Sequence, residues 1–154
     1  MLIDPESLAV LGGGLALAGG LAGSATGIGW AASAGVATLS EDAGQLRNVI
    51  VLASLPMTQT FYGLIVFILI LTSVDLPETS TSGLAVVGLG LFTGLGQFFS
   101  AAYQGSICAS GISLLPKTKG QILSNSIMLA VFAELIGVLG LVFAIMGLSL
   151  LDLM

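Results

Sequence analysis

The chain has 154 residues, of which 56% are hydrophobic and 7% charged, and it contains no histidine. Its mean hydropathy of +1.12 lies far above the range of soluble globular domains. The formal net charge is −5, and only three residues are cations. Three cations are too few for a phosphate-binding surface, so nucleic acid is excluded as a partner. The composition predicts an all-α protein whose surroundings are the lipid bilayer.

Four stretches of the sequence are long and apolar enough to cross a membrane. Residues 7–40, 48–74 and 79–116 carry no charge, and residues 120–151 carry one. Each stretch exceeds the roughly 20 residues that a helix needs to span a hydrocarbon core about 30 Å thick. We therefore predict four transmembrane helices, the first of which begins with Asp4 as N-cap and Pro5 at the first helical position. Little of the chain remains outside them, so we expect no catalytic site of its own.

The loops alternate in charge along the chain. Arg47 follows the first predicted helix, and Lys117 and Lys119 follow the third. The termini and the connection between the second and third helices carry acids only: Asp4, Glu6, Asp75, Glu78 and Asp152. The positive-inside rule then predicts that both basic loops are cytoplasmic and that both termini lie outside a cell membrane.

The sequence contains an internal duplication. Residues 33–39 align with residues 109–115, and Gly29 aligns with Gly105 at the same offset of 76. One residue is lost further on, and Gln59 aligns with Glu134. The halves are therefore predicted to be parallel helical hairpins, residues 1–76 and 77–154, within a single membrane domain. A parallel repeat suits units arranged around an axis normal to the membrane.

Glycine distinguishes alternate helices of this predicted bundle. The first charge-free stretch holds nine glycines and the third holds seven, whereas the second holds Gly63 alone. In the first stretch, small residues recur at every fourth position as a continuous ridge: Gly19, Gly23, Gly27, Ala31 and Gly35. Such ridges let helix backbones approach closely within lipid. We therefore expect the first and third helices to pack tightly as an inner layer, with the second and fourth outside.

Glu134 is the one charged residue inside the four apolar stretches. An ionised carboxylate at the centre of a bilayer costs about 2.5–3.5 kcal/mol or more, and such residues usually serve a function. The position predicts that Glu134 binds or carries a cation. The alternative is a permanently protonated side chain that only forms a hydrogen bond between helices.

Neutral polar residues cluster on the second and third predicted helices. Leu55, Thr58, Gln59 and Tyr62 have the spacing of one helix face, and Pro56 beside them perturbs the preceding turn and frees a carbonyl oxygen. On the third helix, Gln97 and Gln104 lie two turns apart. One carboxylate among neutral oxygens suits a monovalent cation, since Ca²⁺ or Mg²⁺ would recruit more anionic ligands or waters. The alternative is a set of ordinary interhelical hydrogen bonds.

Several of these features together resemble a known family. The duplication, the block LPMTQTFYG at residues 55–63, the sequence YQG at residues 103–105 and the pair Ala133-Glu134 are similar to the rotor-ring proteolipid of V-type and archaeal-type rotary ATPases, known as K or c. The resemblance covers essentially the whole chain. It implies a membrane ring of identical subunits, each carrying one ion-binding carboxylate on its fourth helix.

The sodium-transporting branch of that family is the more similar one. The resemblance implies that Na⁺ is coordinated by the Leu55 carbonyl, the Thr58 hydroxyl, the amide oxygens of Gln59 and Gln104, and the Glu134 carboxylate. It also implies that Tyr62 holds the carboxylate by a hydrogen bond. A proton-specific ring needs fewer neutral oxygens, although an amide-rich site can also hydrogen-bond a protonated glutamate, so H⁺ stays an alternative.

The resemblance further implies the partners and the mechanism. A stator membrane subunit would supply a positive charge beside the bare Glu134 carboxylate, and central-stalk subunits would dock near the basic cytoplasmic loops. ATP hydrolysis in partner subunits would turn the ring and carry each loaded site across the membrane. Two alternatives outside the family are a small four-helix proton-coupled efflux transporter and a tetraspan scaffold without a transport role.

Overall fold

The protein is described by a computed structural model that covers residues 4–73, 75 and 80–154, and the elements in these ranges are helical. Helix α1 spans Pro5–Glu41, α2 spans Leu46–Ser54, α3 spans Thr58–Ser73, α4 spans Ser80–Thr118 and α5 spans Leu123–Leu150. Short 3-10 turns, Ala43–Gln45 and Leu55–Met57, join α1 to α2 and α2 to α3.

Four helical segments of the described chain are long and apolar enough to cross a membrane: Pro5–Glu41, Ala43–Ser73, Thr81–Thr118 and Leu123–Leu150. The second segment contains both α2 and α3 together with the turns that lead into them. The predicted all-α membrane fold with four spanning helices is thus confirmed, and the chain is a multi-pass membrane protein. The first helix begins as predicted, because the Asp4 carboxylate accepts a hydrogen bond of 2.8 Å from the backbone N–H of Ser7.

The two halves lie parallel to each other. Gly12 of α1 faces Val86 of α4, and Gly27 faces Ala101, so the partners advance together along both helices. At one end the turn between α4 and α5 meets the turn after α1 and the start of α2, where Gly120 lies beside Gln45 and Asn48. The predicted boundary between residues 76 and 77 lies outside the described residues, as does Glu78.

Glycines of α1 bring its backbone directly against that of α4, as the ridge predicts. A Cβ atom on Gly19 would overlap the carbonyl of Gly94, and one on Gly23 would lie 2.5 Å from the Cα of Phe98. Lower down the same ridge, Gly35 lies against the side chain of Val49 in α2 instead. The glycine ridge of α1 therefore packs against two helices, α4 and α2. Its place in the inner layer of a ring stays a prediction.

Two buried apolar clusters occupy opposite ends of the bundle. One cluster, around Val66, Val86 and Leu148, lies towards the end that holds the termini. The other, around Leu52 and Ile112, lies towards the basic loops. Between them lies a group of buried polar side chains, all nearly or fully inaccessible: Gln59, Thr93, Gln97, Ser100 and Gln104. The fold therefore encloses a polar layer near mid-span.

Candidate ion-binding site

Glu134 lies in α5 beside the polar layer, partly buried, and both of its carboxylate oxygens accept hydrogen bonds. The Tyr62 hydroxyl donates to Oε1 over 3.1 Å. The Gln104 side chain donates from Nε2 to Oε2 over 3.2 Å. Hydrogen bonds to a carboxylate are among the stronger ones in proteins. The acid is thus fixed between α3 and α4.

The network continues from Gln104 through Gln59, which is completely buried. Gln59 donates from Nε2 to Gln104 Oε1 over 3.0 Å. At the other end of the same amide, Oε1 lies 3.1 Å from the Thr58 hydroxyl, which also lies 3.3 Å from the Leu55 carbonyl. A hydroxyl has one proton, so Thr58 donates to one of these oxygens at a time. When that proton is donated to Gln59, all six predicted site residues are connected in one chain of hydrogen bonds, because the backbone N–H of Thr58 still bonds to the Leu55 carbonyl.

Pro56 explains why three oxygens collect at this point. It has no backbone N–H and cannot continue the α-helical hydrogen-bond pattern, and the chain forms a 3-10 turn over Leu55–Met57. In that turn the backbone N–H of Thr58 bonds to the Leu55 carbonyl, which also faces the Thr58 hydroxyl. Pro56 is buried against Gly27 of α1, where the missing side chain leaves room for its ring. Pro56 thus perturbs the helix by forming a 3-10 turn. The Leu55 carbonyl oxygen is not left free, because it faces both the backbone N–H and the hydroxyl of Thr58.

Gln104 is oriented differently from the ligand role that the resemblance implies. It turns its amide nitrogen to Glu134, while its oxygen accepts from Gln59. To bind an ion beside the carboxylate, the Gln104 side-chain oxygen must either contact the ion and Gln59 at the same time or turn towards the ion by rotation of the amide. The donor set around Glu134 still fits a hard monovalent cation, since it consists of one carboxylate and neutral hydroxyl, amide and peptide oxygens.

Two buried residues of α4 hold α5 by hydrogen bonds to its backbone, and one of them, Ser100, also extends the network. Ser100 donates from Oγ to the carbonyl of Ala133 over 2.7 Å and accepts from Gln59 Nε2 over 3.0 Å. Gln97 donates from Nε2 to the carbonyl of Gly137 over 2.8 Å. The sequence singles out Gln97 as polar but misses Ser100. The signal that could have found it is the spacing of residues 97, 100 and 104 on one face of the helix.

Comparison with known families decides what kind of chain carries this network. The sequence model of the family described as the C subunit of ATP synthase matches residues 11–70 and again residues 87–147. Together these matches cover most of the sequence, and their starts are separated by the 76-residue offset of the internal repeat. The chain belongs to the ATP synthase C-subunit family. In this member, two copies of the family's hairpin are joined in one chain.

Two curated relatives are similar to this C-subunit family member. The A-type ATP synthase subunit K of Methanocaldococcus jannaschii is 35% identical over 131 residues, which cover 84% of this chain and 59% of that protein. The V-type sodium ATPase subunit K of Enterococcus hirae is 32% identical over 123 residues, which cover 78% of this chain and 76% of that protein. The chain thus spans less than two thirds of the length of the first of these relatives.

The carboxylate of this C-subunit family member lies close to an apolar surface. Around it on α5, large hydrophobic side chains are exposed, including Phe132, Leu135 and Ile136. Phe61 and Ile65, on either side of Tyr62 along α3, are exposed as well. The acid therefore has hydrogen-bond donors on its inner side and a lipid-compatible surface around it.

Proposed function

We infer that this chain is the rotor-ring subunit of a V-type or archaeal-type rotary ATPase and that it carries Na⁺ across the membrane at Glu134. The observation that carries the proposal is the continuous hydrogen-bond network from Tyr62 through Glu134, Gln104 and Gln59 to Thr58. It joins one carboxylate to neutral oxygens at the edge of an apolar surface. Membership of the ATP synthase C-subunit family supports the rotor role, and the sodium ATPase relative supports the choice of ion.

The proposed mechanism follows from electrostatics. With Na⁺ beside Glu134 the site is neutral, so the loaded chain can face lipid. Without the ion, a bare carboxylate at mid-bilayer costs about 2.5–3.5 kcal/mol or more, unless a positive charge lies next to it. A stator subunit supplies that charge in the proposed complex, and identical copies of this chain form the ring. ATP hydrolysis in partner subunits then moves each loaded site from one access path to the other.

Gln59, which aligns with Glu134, limits the number of ions that each chain can carry. Gln59 stands where the second hairpin has Glu134, so each chain carries one titratable site for four helices. A ring of such chains moves fewer ions per turn than one with a carboxylate in every hairpin. More ATP free energy is then available per ion, which favours pumping against a steep gradient.

Sidedness is part of the proposal. Arg47 lies at the start of α2, and Lys117 and Lys119 lie where α4 ends. These residues share one end of the bundle, and their positive charge supports a cytoplasmic location. The opposite end holds Asp75, whose backbone N–H donates to the carbonyl of Leu153 over 3.0 Å. In the proposed cell-membrane topology, that acidic end and both termini face outwards. The central stalk docks at the basic end.

The second candidate is a ring of the same family that carries H⁺. One observation favours it: the Tyr62 hydroxyl lies 3.1 Å from Oε1 of Glu134, and a hydroxyl can accept a hydrogen bond from a protonated carboxyl group as well as donate one to a carboxylate. A carboxyl group held in this way needs no metal ligands to exchange a proton. The two candidates differ in whether Na⁺ competes for the carboxylate.

A labelling experiment on the intact ring tests the ion. A hydrophobic carbodiimide reacts with protonated carboxyl groups, so it modifies Glu134 in preference to solvated, ionised acids. Bound Na⁺ keeps the carboxylate ionised, and adding Na⁺ is expected to slow the labelling, more at neutral than at acid pH, because protons compete. Thr58→Ala is expected to weaken this protection, whereas Thr26→Ala is a matched control, since among the described residues the Thr26 hydroxyl bonds only to the Ala22 carbonyl of its own helix. A labelling rate that does not change with Na⁺ concentration across this pH range would identify a proton site.

A further inference from the structure

Ser100 lies at the centre of the polar layer and connects the amide of Gln59 to the helix that bears Glu134. It is 3% exposed, and its hydroxyl oxygen makes both the 2.7 Å bond to Ala133 and the 3.0 Å bond to Gln59. We propose that Ser100 is a positioning residue that sets cation preference, because it fixes which end of the Gln59 amide faces the ion site. The inference rests on the proposed function and adds a determinant of its ion selectivity.

The first step of the argument concerns the one proton of the Ser100 hydroxyl. That proton is donated to the carbonyl of Ala133, which can only accept. The serine therefore presents a lone pair to Gln59, and a lone pair can be satisfied only by an N–H group. The nitrogen end of the Gln59 amide is thus directed to Ser100.

The second step concerns the opposite end of the same amide. With Nε2 turned to Ser100 and Gln104, the Gln59 oxygen lies 3.1 Å from the Thr58 hydroxyl. Amide, hydroxyl and peptide oxygens are then grouped together around the 3-10 turn. If the amide were reversed, its oxygen would oppose the oxygen of Gln104 and an N–H group would point into the oxygen cluster. A hard cation binds oxygens and is repelled by N–H groups.

The third step distinguishes Ser100 from Gln104, the other acceptor for Gln59. In a loaded site the Gln104 oxygen is shared with the cation or turned towards it, according to the proposed ligand set. Ser100 is then the acceptor that remains entirely with Gln59. Proton binding to Glu134 does not use the Gln59 oxygen. In the protonated site the Gln104 oxygen stays on Gln59 and orients that amide without help from Ser100. Loss of Ser100 therefore weakens Na⁺ binding and leaves H⁺ binding unchanged.

Gln97 provides the matched control for this inference. It lies on the same face of α4, is fully buried and clamps α5 through the carbonyl of Gly137, as Ser100 does through Ala133. Its side-chain oxygen has no hydrogen-bond donor among the described residues. Gln97→Met therefore removes one clamp on α5 with little change in volume, and it leaves the Gln59 amide with both of its acceptors.

The experiment measures carbodiimide labelling of Glu134 in the intact membrane ring of wild type, Ser100→Ala and Gln97→Met, over a range of Na⁺ concentration and pH. Loss of one buried hydrogen bond is expected to raise the Na⁺ concentration for half-protection about fivefold to tenfold in Ser100→Ala. In Gln97→Met that concentration stays near the wild-type value. The pH dependence of the Na⁺-free labelling rate stays the same in all three, because proton binding is unaffected. Ring assembly is followed by native mass spectrometry.

Four outcomes would overturn the inference. Equal half-protection in wild type and Ser100→Ala would show that the serine does not set the preference. An equal weakening in Gln97→Met, or a ring that fails to assemble in Ser100→Ala alone, would show that helix docking is the whole of its role. If wild type itself shows no Na⁺ protection, the sodium function fails first and the inference fails with it.

Discussion

At the residue scale, the proposed function depends on the single carboxylate of Glu134. An ionised group at this depth in the bilayer is energetically unfavourable unless a cation compensates it. Glu134→Gln keeps the size of the side chain and keeps an oxygen that can accept from Tyr62 or Gln104. It removes the charge that exchanges with an ion. We therefore expect the ring to assemble normally and ATP-driven ion uptake into vesicles to disappear.

The control for this prediction is Glu41→Gln, because Glu41 is an exposed acid at the end of α1. It is expected to leave uptake unchanged. Uptake that survives in Glu134→Gln would contradict the rotor mechanism, and loss of assembly would show that the acid has a structural role.

Asp4, unlike Glu134, is exposed, and its cap on α1 allows a prediction about pH. Hydrogen bonds from the backbone N–H and the hydroxyl of Ser7 hold the pKa of Asp4 below its ordinary value of 3.8. A lowered pKa means that the ionised cap stabilises the first turn of α1 above that ordinary value, and that the stabilisation is lost as the pH falls through the lowered pKa. Asp4→Ala is expected to speed amide hydrogen exchange at Ser7 near neutral pH. In strong acid the variant and the wild type should converge, and a difference that persists there would contradict the capping explanation.

The sequence predicts the members of the candidate site better than it predicts their orientation. Leu55, Thr58, Gln59 and Tyr62 share a face because of helical periodicity, which can be read from spacing alone. The orientation of Gln104 could not be read, since the two ends of an amide are nearly equal in shape and only neighbouring donors and acceptors choose between them. Ser100 was missed for a related reason. Serine is common in membrane helices, and its role depends on a partner in another helix.

At the scale of the elements, the contact between α1 and α4 depends on missing side chains. A Cβ atom on Gly19 would overlap the backbone of Gly94, which cannot move aside as a flexible side chain could. Gly19→Ala is therefore expected to destabilise the fold by about 1–3 kcal/mol or more through overpacking. The measurement is thermal unfolding in detergent, followed by circular dichroism.

Gly14→Ala is the matched control on the same helix, because a Cβ atom there meets nothing within 4 Å. Alanine is a better helix former than glycine by up to about 1 kcal/mol, so this variant should be neutral or slightly more stable. Equal effects at the two positions would contradict the close-contact explanation and indicate that helix propensity alone decides.

The break in the second membrane segment shows what a local pattern can and cannot predict. Pro56 within a hydrophobic stretch predicts a disturbed turn. It does not predict that the α-helix resumes at Thr58 after a single 3-10 turn, because that depends on tertiary contacts such as the burial of Pro56 against Gly27. The sequence shows one apolar stretch here, and the structure has two α-helices with a 3-10 turn at the site.

At the scale of the whole molecule, the duplication places corresponding parts of the two hairpins at the same end of the bundle. Because both hairpins run in the same direction, the two connections that carry basic residues nearby meet at one end, and Asp75 meets Leu153 at the other. The arrangement was predictable, since equal offsets in a repeat mean equal positions along parallel helices. Which end faces the cytoplasm depends on the membrane and its potential, and the fold is the same either way.

Sidedness therefore gives a prediction of its own, made on a background in which the buried Cys108 is replaced by alanine. Single cysteines at Lys117 and Asp75, both exposed, report on the two ends of the bundle. The positive-inside rule places Lys117 in the cytoplasm, because moving cations across a bilayer during insertion is unfavourable. An impermeant maleimide added to intact cells should label the cysteine at residue 75 and not the one at residue 117, and inside-out vesicles should give the reverse. Labelling of both positions from the same side would contradict the parallel hairpins, whereas the reversed pattern would keep the fold and invert the proposed orientation.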